Sequence, residues 1–221
     1  ASAEQQQRRH EGDDLFLHVL QRAHRREEDR DDGNGDQATS TEKRDERGDQ
    51  PTQRPDAVDH DPCRPDEQTD GDDVRGVLAS QGESTQRLLA NVSDSVAMHR
   101  YATGKWSVKE VLGHICDGER VFAYRALRFG RGDATPLAGF DENQYVPAAN
   151  SDLRSVSSLR AELAAVRAAT LALIDSFDED ALTRSGPANG HPITVRALLW
   201  IIAGHEKHHV TLLRERYGLK G

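Results

Sequence analysis

The chain has 221 residues, 35% of them apolar, with 29 Lys+Arg against 38 Asp+Glu and a formal net charge of −9. The acidity sits in residues 1–75, which carry 12 basic and 22 acidic side chains; residues 76–221 carry 17 and 16. That near-neutral part shows no basic stripe with interleaved aromatics, and no apolar run nears the 18 residues of a membrane span, so neither nucleic acid nor membrane is an expected partner.

Residues 1–75 hold only 13 apolar side chains, of which Leu15–Leu20 (LFLHVL) form the one cluster. Burial on that scale does not offset the entropy of ordering a chain. A disordered, acidic N-terminal segment is expected over 1–75; a second reading takes it as a product of start-site choice or reading frame. It shows no basic start followed by an apolar stretch, so no secretory signal is expected. The two cysteines, Cys63 and Cys116, lie far apart and form no CxxC. A cytoplasmic location fits this usage.

From Val74 the pattern changes, and residues 76–221 read as one domain. Val77, Leu78, Leu88, Leu89 and Val92 predict a first helix over 74–92. Ser107 and Glu110 have capping-box spacing and open a second helix that runs to Phe129 and stops at Gly130. Gly, Pro, Asp and Asn crowd residues 130–152, which predicts a long ordered loop anchored by Phe140, Tyr145 and Val146. Val156, Leu159, Leu163, Val166, Thr170 and Leu173 predict a third helix over 153–176. SGPANGHP (185–192) breaks the chain. Thr194 then caps a last helix, with Ile193 and Leu198 in staple positions and Gly218 beyond its end. Four helices without a convincing strand make an all-α four-helix bundle.

The last helix carries the chemistry. Leu198, Ile202, His205, His209 and Leu212 fall at steps of 4, 3, 4 and 3, the inward seam of a bundle helix. Two imidazoles one turn apart can share one ion. His114, beside Val111 and Ile115 in the second helix, supplies a third ligand from a facing segment. Three neutral imidazoles leave a coordination position open, as in catalytic zinc sites. His208 is rotated off the seam. Asp117, three residues after His114, is a candidate for orienting a ligand or substrate. His205-Glu206-x-x-His209 also satisfies HExxH, which makes Glu206 a candidate general base acting on a water at the ion. A zinc protease is not expected, since only 12 residues follow His209 and no strand offers a cleft edge. Arg120, Asn143 and Tyr145 are expected to line the mouth, with the long loop folded over it.

The segments Lys105–Arg120, Pro136–Asn143 and Thr194–His209 together resemble the DinB-like metal-binding four-helix-bundle superfamily, which includes metal-dependent hydrolases and thiol-dependent S-transferases. The resemblance rests on Trp106-Ser107-x-x-Glu110, a His seven residues after that Ser, and the C-terminal HxxxH. It implies His114, His205 and His209 as ligands of one divalent ion, zinc first, with nickel, manganese or iron as alternatives. It implies a homodimer, and a small-molecule substrate that is hydrolysed or joined to a low-molecular-weight thiol. A non-catalytic metal-binding or stress-response module is the alternative expectation.

Overall fold

A computed structural model describes residues 73–220, so most of the expected disordered segment lies outside the described residues. The helices are α1 (Val74–Leu88), α2 (Asp94–Ala97), α3 (Val108–Gly130), α4 (Glu142–Ala149), α5 (Val156–Ile174), α6 (Glu179–Thr183) and α7 (Val195–Glu215). A 3-10 turn, Ser151–Leu153, follows α4, and a hairpin of β1 (Ser185–Ala188) and β2 (His191–Thr194) precedes α7. Among the described residues no helix is long and apolar enough to cross a membrane.

Local chemistry sets the long helices. The Ser107 hydroxyl accepts from the Glu110 N–H at 3.0 Å, and the Glu110 carboxylate accepts from the Ser107 N–H at 2.8 Å, the full capping box. Ser155 and Thr194 cap α5 and α7 in the same way through one hydroxyl each. Ile193 and Leu198 are both buried in one core cluster, as a staple requires.

Three elements depart from the sequence reading. The expected loop over 130–152 contains α4 and the 3-10 turn, with Asn150 left-handed between them at φ 51°. The break at 185–192 is an antiparallel hairpin pairing Ser185 with Thr194 and Ala188 with His191. Its tight turn is Asn189-Gly190, with φ 51° and 80°, the positive pair that a two-residue hairpin loop demands. Leu137 joins its edge, donating to the Pro187 carbonyl at 2.9 Å and accepting from Asn189 at 3.0 Å. Finally, α1 ends at Leu88, and the short α2 precedes α3.

The four long helices form the bundle. Helix α3 packs between α7 and α5, and α1 closes the square against the same two. The interior holds two apolar clusters. One gathers Leu78, Phe122, Phe129, Ile174, Leu198 and Ile202. The other gathers Leu88, Leu112, Ile115, Leu159, Leu163 and Leu213. Each such side chain contributes about 1.5–3 kcal/mol when fully buried. Between the clusters lies a polar belt containing Thr85, Glu119, Arg167, Glu206, His205 and His209.

Candidate metal centre

Helix α3 brings His114 and α7 brings His205 and His209 to one interior point. The three ring centroids stand 4.6–4.7 Å apart with planes at 70–82°, close to an equilateral, edge-to-face arrangement. The His205 Nε2 lies 2.9 Å from the His114 Nε2 and 3.2 Å from the His209 Nε2. One nitrogen from each ring falls within 4.8 Å of the others. The structure thus assembles the three residues that the helical spacing singled out.

Room for this cluster is made on α3. A Cβ at Gly118 would lie 2.7 Å from the His205 Cε1, so the glycine lets the ring rest against the helix backbone. The walls are aromatic. Trp106 stands 4.8 Å from the His114 ring, and Phe122 stands 6.0 Å from the His205 ring. Tyr217 donates from its hydroxyl to the Trp106 carbonyl at 2.7 Å and so ties the C-terminal end to that wall.

Burial sets the protonation of the cluster. It pushes the His114 imidazole down to about 4, and the neighbouring His208 adds to the effect. It pushes His205 and His209 well below the ordinary histidine value, with the adjacent rings adding in the same direction. All three rings are therefore neutral at pH 7, the form that offers lone pairs.

These nitrogens fit a cation better than they fit one another. A neutral ring nitrogen carries either one N–H or one lone pair, yet the His205 Nε2 makes two short contacts. Tetrahedral zinc with bonds of about 2.0–2.1 Å separates its nitrogen ligands by about 3.3 Å. The contacts of 2.9 and 3.2 Å fall just short of that separation, so a small outward shift of the rings would open a site of that size. The His209 Nδ1 is buried without a hydrogen-bond partner, which departs from the usual acceptor behind a ligating imidazole.

The other expected site residues are placed differently from one another. Glu206 is buried, and both its oxygens are taken: Oε1 accepts from Thr85 at 2.7 Å and Oε2 from Arg167 at 2.8 Å. That engagement ties both oxygens to α1 and α5, whereas a base acting at the ion needs an oxygen free to face it. Arg120 is drawn to Glu162 on α5 at 2.6 Å and to Asp117 at 3.5 Å. Both belong to the α3–α5 face, and none of their contacts reaches the histidines. Burial raises the Asp117 carboxyl, against the lowering by Arg120. Asn143 is half-buried at the start of α4, its backbone N–H donating to Asp141. Tyr145 is exposed and joins the centre only through a chain of rings: 5.5 Å to Phe140, 6.2 Å from Phe140 to Phe122, and then His205. His208 is half-buried with its ring 5.1 Å from His209. Cys116 is buried, and burial together with Glu162 pushes its thiol up to about 12.

Sequence reasoning missed Arg125. Its buried guanidinium lies 5.7 and 5.9 Å from the Phe122 and Phe140 rings and donates to the Ala138 carbonyl at 2.8 Å. It pins the loop beside the centre. The only prior sign was its position on the His114–Gly118–Phe122 stripe of α3.

A four-helix bundle with a three-histidine cluster between facing helices is the class defined by these features. A profile of the DinB superfamily matches residues 78–213, and the chain belongs to that superfamily. YfiT from Bacillus subtilis, described as a probable metal-dependent hydrolase with an unusual four-helix bundle topology, superposes with a TM-score of 0.59 at 21% identity, over 71% of this chain and 94% of its own. A mycothiol-dependent maleylpyruvate isomerase superposes with a TM-score of 0.53 at 16% identity, over 62% of this chain and 58% of its own. At such identities the likeness is one of fold, and the present chain spans less than two thirds of the isomerase. No curated protein matches the sequence.

Proposed function

We propose that His114, His205 and His209 hold one divalent cation, and that the protein is a metal-dependent enzyme acting on a small molecule. The observation that carries this is the convergence of three neutral ring nitrogens within 4.8 Å of one another, with no fourth ligand joining the group among the described residues. When bound, such an ion supplies Lewis acidity, which lowers the pKa of a water or thiol toward neutrality.

Of hydrolysis and thiol transfer, we favour thiol transfer. Glu206, the one carboxylate in the motif that a hydrolase would use as a base, is held by Arg167 and Thr85. A thiol, whose ordinary pKa is about 8.5, needs far less help than water to ionise. That thiol must come from outside, because Cys116 is buried and its pKa is raised. Trp106 and Phe122 wall the sides of the centre, and Phe140 and Tyr145 extend the aromatic wall outward.

Elemental analysis of the purified protein tests the centre. We expect about one ion per chain, lost in His205→Ala. Adding a low-molecular-weight thiol and an electrophile to the zinc-loaded protein is expected to give conjugate, while model esters turn over poorly. Metal-dependent ester cleavage without conjugation would reverse the choice of chemistry. Neither activity in the loaded protein would remove the enzyme reading and leave the binding module.

A further inference from the structure

Next to the histidines lies a second polar group to which every helix of the square contributes one residue: Thr85 from α1, Glu119 from α3, Arg167 from α5 and Glu206 from α7. Arg167 donates from Nε to the Glu119 Oε1 at 2.9 Å and from Nη2 to the Glu119 Oε2 at 2.8 Å. The same Nη2 donates to the Glu206 Oε2 at 2.8 Å, and Nη1 donates to the Leu78 carbonyl at 2.6 Å. Thr85 donates to the remaining oxygen, Glu206 Oε1, at 2.7 Å. All four carboxylate oxygens accept, and all are buried.

Two carboxylates against one guanidinium leave this layer with a formal charge of −1. Its position is what matters. Glu206 directly follows His205 in α7. Glu119 directly follows Gly118, the glycine against which the His205 ring rests. Three imidazoles contribute no charge to a bound ion, so a dication here would otherwise sit uncompensated among Trp106, Phe122 and the two apolar clusters. Burying charge without a counter-charge is expensive.

We propose that Glu119, Arg167 and Glu206 act as positioning residues for the metal: their surplus negative charge favours the dication, and their fixed geometry holds the His205 backbone in place. This rests on the metal reading above. It differs from a purely structural ion pair, which would stabilise the metal-free and loaded forms equally.

The test measures the zinc Kd by chelator competition, together with the Tm of metal-free and zinc-loaded full-length protein. Glu119→Gln keeps the shape and removes one negative charge; we expect zinc binding to weaken roughly tenfold and the zinc-induced rise in Tm to shrink. Glu119→Asp keeps the charge and is expected to bind zinc more tightly than the Gln variant. Thr85→Val keeps every charge and is expected to hold the zinc Kd within about twofold of wild type. Should Glu119→Gln not fold, Glu206→Gln removes the same charge from the other arm and carries the same expectation. The proposal is overturned if the Gln variant binds zinc like wild type, if both forms lose Tm equally, or if Thr85→Val weakens zinc as much as Glu119→Gln. A wild type that binds no zinc is a separate failure, of the metal reading itself, and shows before any variant is made.

Discussion

Two polar groups share the middle of this bundle, and they differ in one respect. In the Arg167 layer every buried carboxylate oxygen accepts a hydrogen bond, and each guanidinium nitrogen donates at least one. In the histidine cluster the nitrogens meet mainly one another, and the His209 Nδ1 meets nothing. A buried polar group whose hydrogen bonds are all made needs no further hydrogen-bond partner, whatever net charge it presents to its neighbours. One that crowds three ring nitrogens together and leaves the His209 Nδ1 unpaired is incomplete, because desolvating an unpaired polar atom costs free energy that nothing present returns. Both groups contain residues from α3 and α7, and Glu206 is adjacent in sequence to His205, so the difference comes from which way each side chain points.

The largest test of this contrast is Arg167→Met. Methionine keeps much of the aliphatic volume and leaves Glu119 and Glu206 buried without their cation. Breaking such a pair by removing one partner costs about 3–5 kcal/mol, and urea unfolding of the metal-free protein should show a loss of that size. A loss below about 1 kcal/mol, the range of surface pairs, would mean that water reaches the carboxylates and that the layer is not closed.

The second test turns to the open group. The unfolded chain protonates His114 near its ordinary value of 6.5, whereas the folded chain keeps it neutral until about pH 4. Between these values the unfolded state binds more protons, so stability falls as pH drops. His114 alone should cost metal-free protein about 2 kcal/mol between pH 7 and pH 5. His205 and His209 shift in the same direction. Chemical denaturation across that range measures the slope, and His114→Ala should flatten it. A flat wild-type profile would place the imidazoles in water.

How far each group was legible in the sequence follows from the same contrast. The caps at Ser107 and Thr194 are local, so spacing alone locates α3 and α7. His205 and His209 are one turn apart on an apolar seam, and no partner needs to be known to notice them. The Arg167 layer escaped because Glu119-Arg120 looks like solvated charge, and because HExxH drew Glu206 toward the ion rather than toward a partner on another helix. Yet a second seam was there to read: Leu199, Ala203, Glu206, Val210 and Leu213 are all buried, at steps of 4, 3, 4 and 3. On α3, Leu112, Ile115, Glu119, Phe122 and Ala126 repeat the pattern. A charged residue at the centre of an apolar seam marks a buried ion pair, but its partner comes from another helix and no spacing reveals which. The hairpin was missed for a different reason. Asn189-Gly190 is a strong turn signal, but its four-residue strands are too short to show alternation.

A smaller effect is expected where the α3 backbone meets the histidine cluster. Gly118→Ala drives a Cβ to 2.7 Å from the His205 ring. Overpacking costs about 1–3 kcal/mol, offset by about 1 kcal/mol of helix propensity, so stability should fall by about 1 kcal/mol. The displaced ring should also weaken zinc binding, measured by the same chelator competition. Unchanged zinc affinity would show that the ring does not depend on the α3 backbone for its place.

The smallest effect is expected on the far side of α3. Arg120 is half-exposed and pairs with Glu162, which Arg154 also holds. Exposed pairs of this kind contribute about 0–1 kcal/mol, so Arg120→Ala should lower stability by less than 1 kcal/mol and leave the metal content untouched. The α3–α5 face then counts as ordinary surface, and the contrast is confined to the two interior groups. If Arg120→Ala instead lowers turnover at full metal occupancy, the guanidinium leaves Glu162 when substrate arrives. The mouth that the sequence led us to expect would then include this side of the helix.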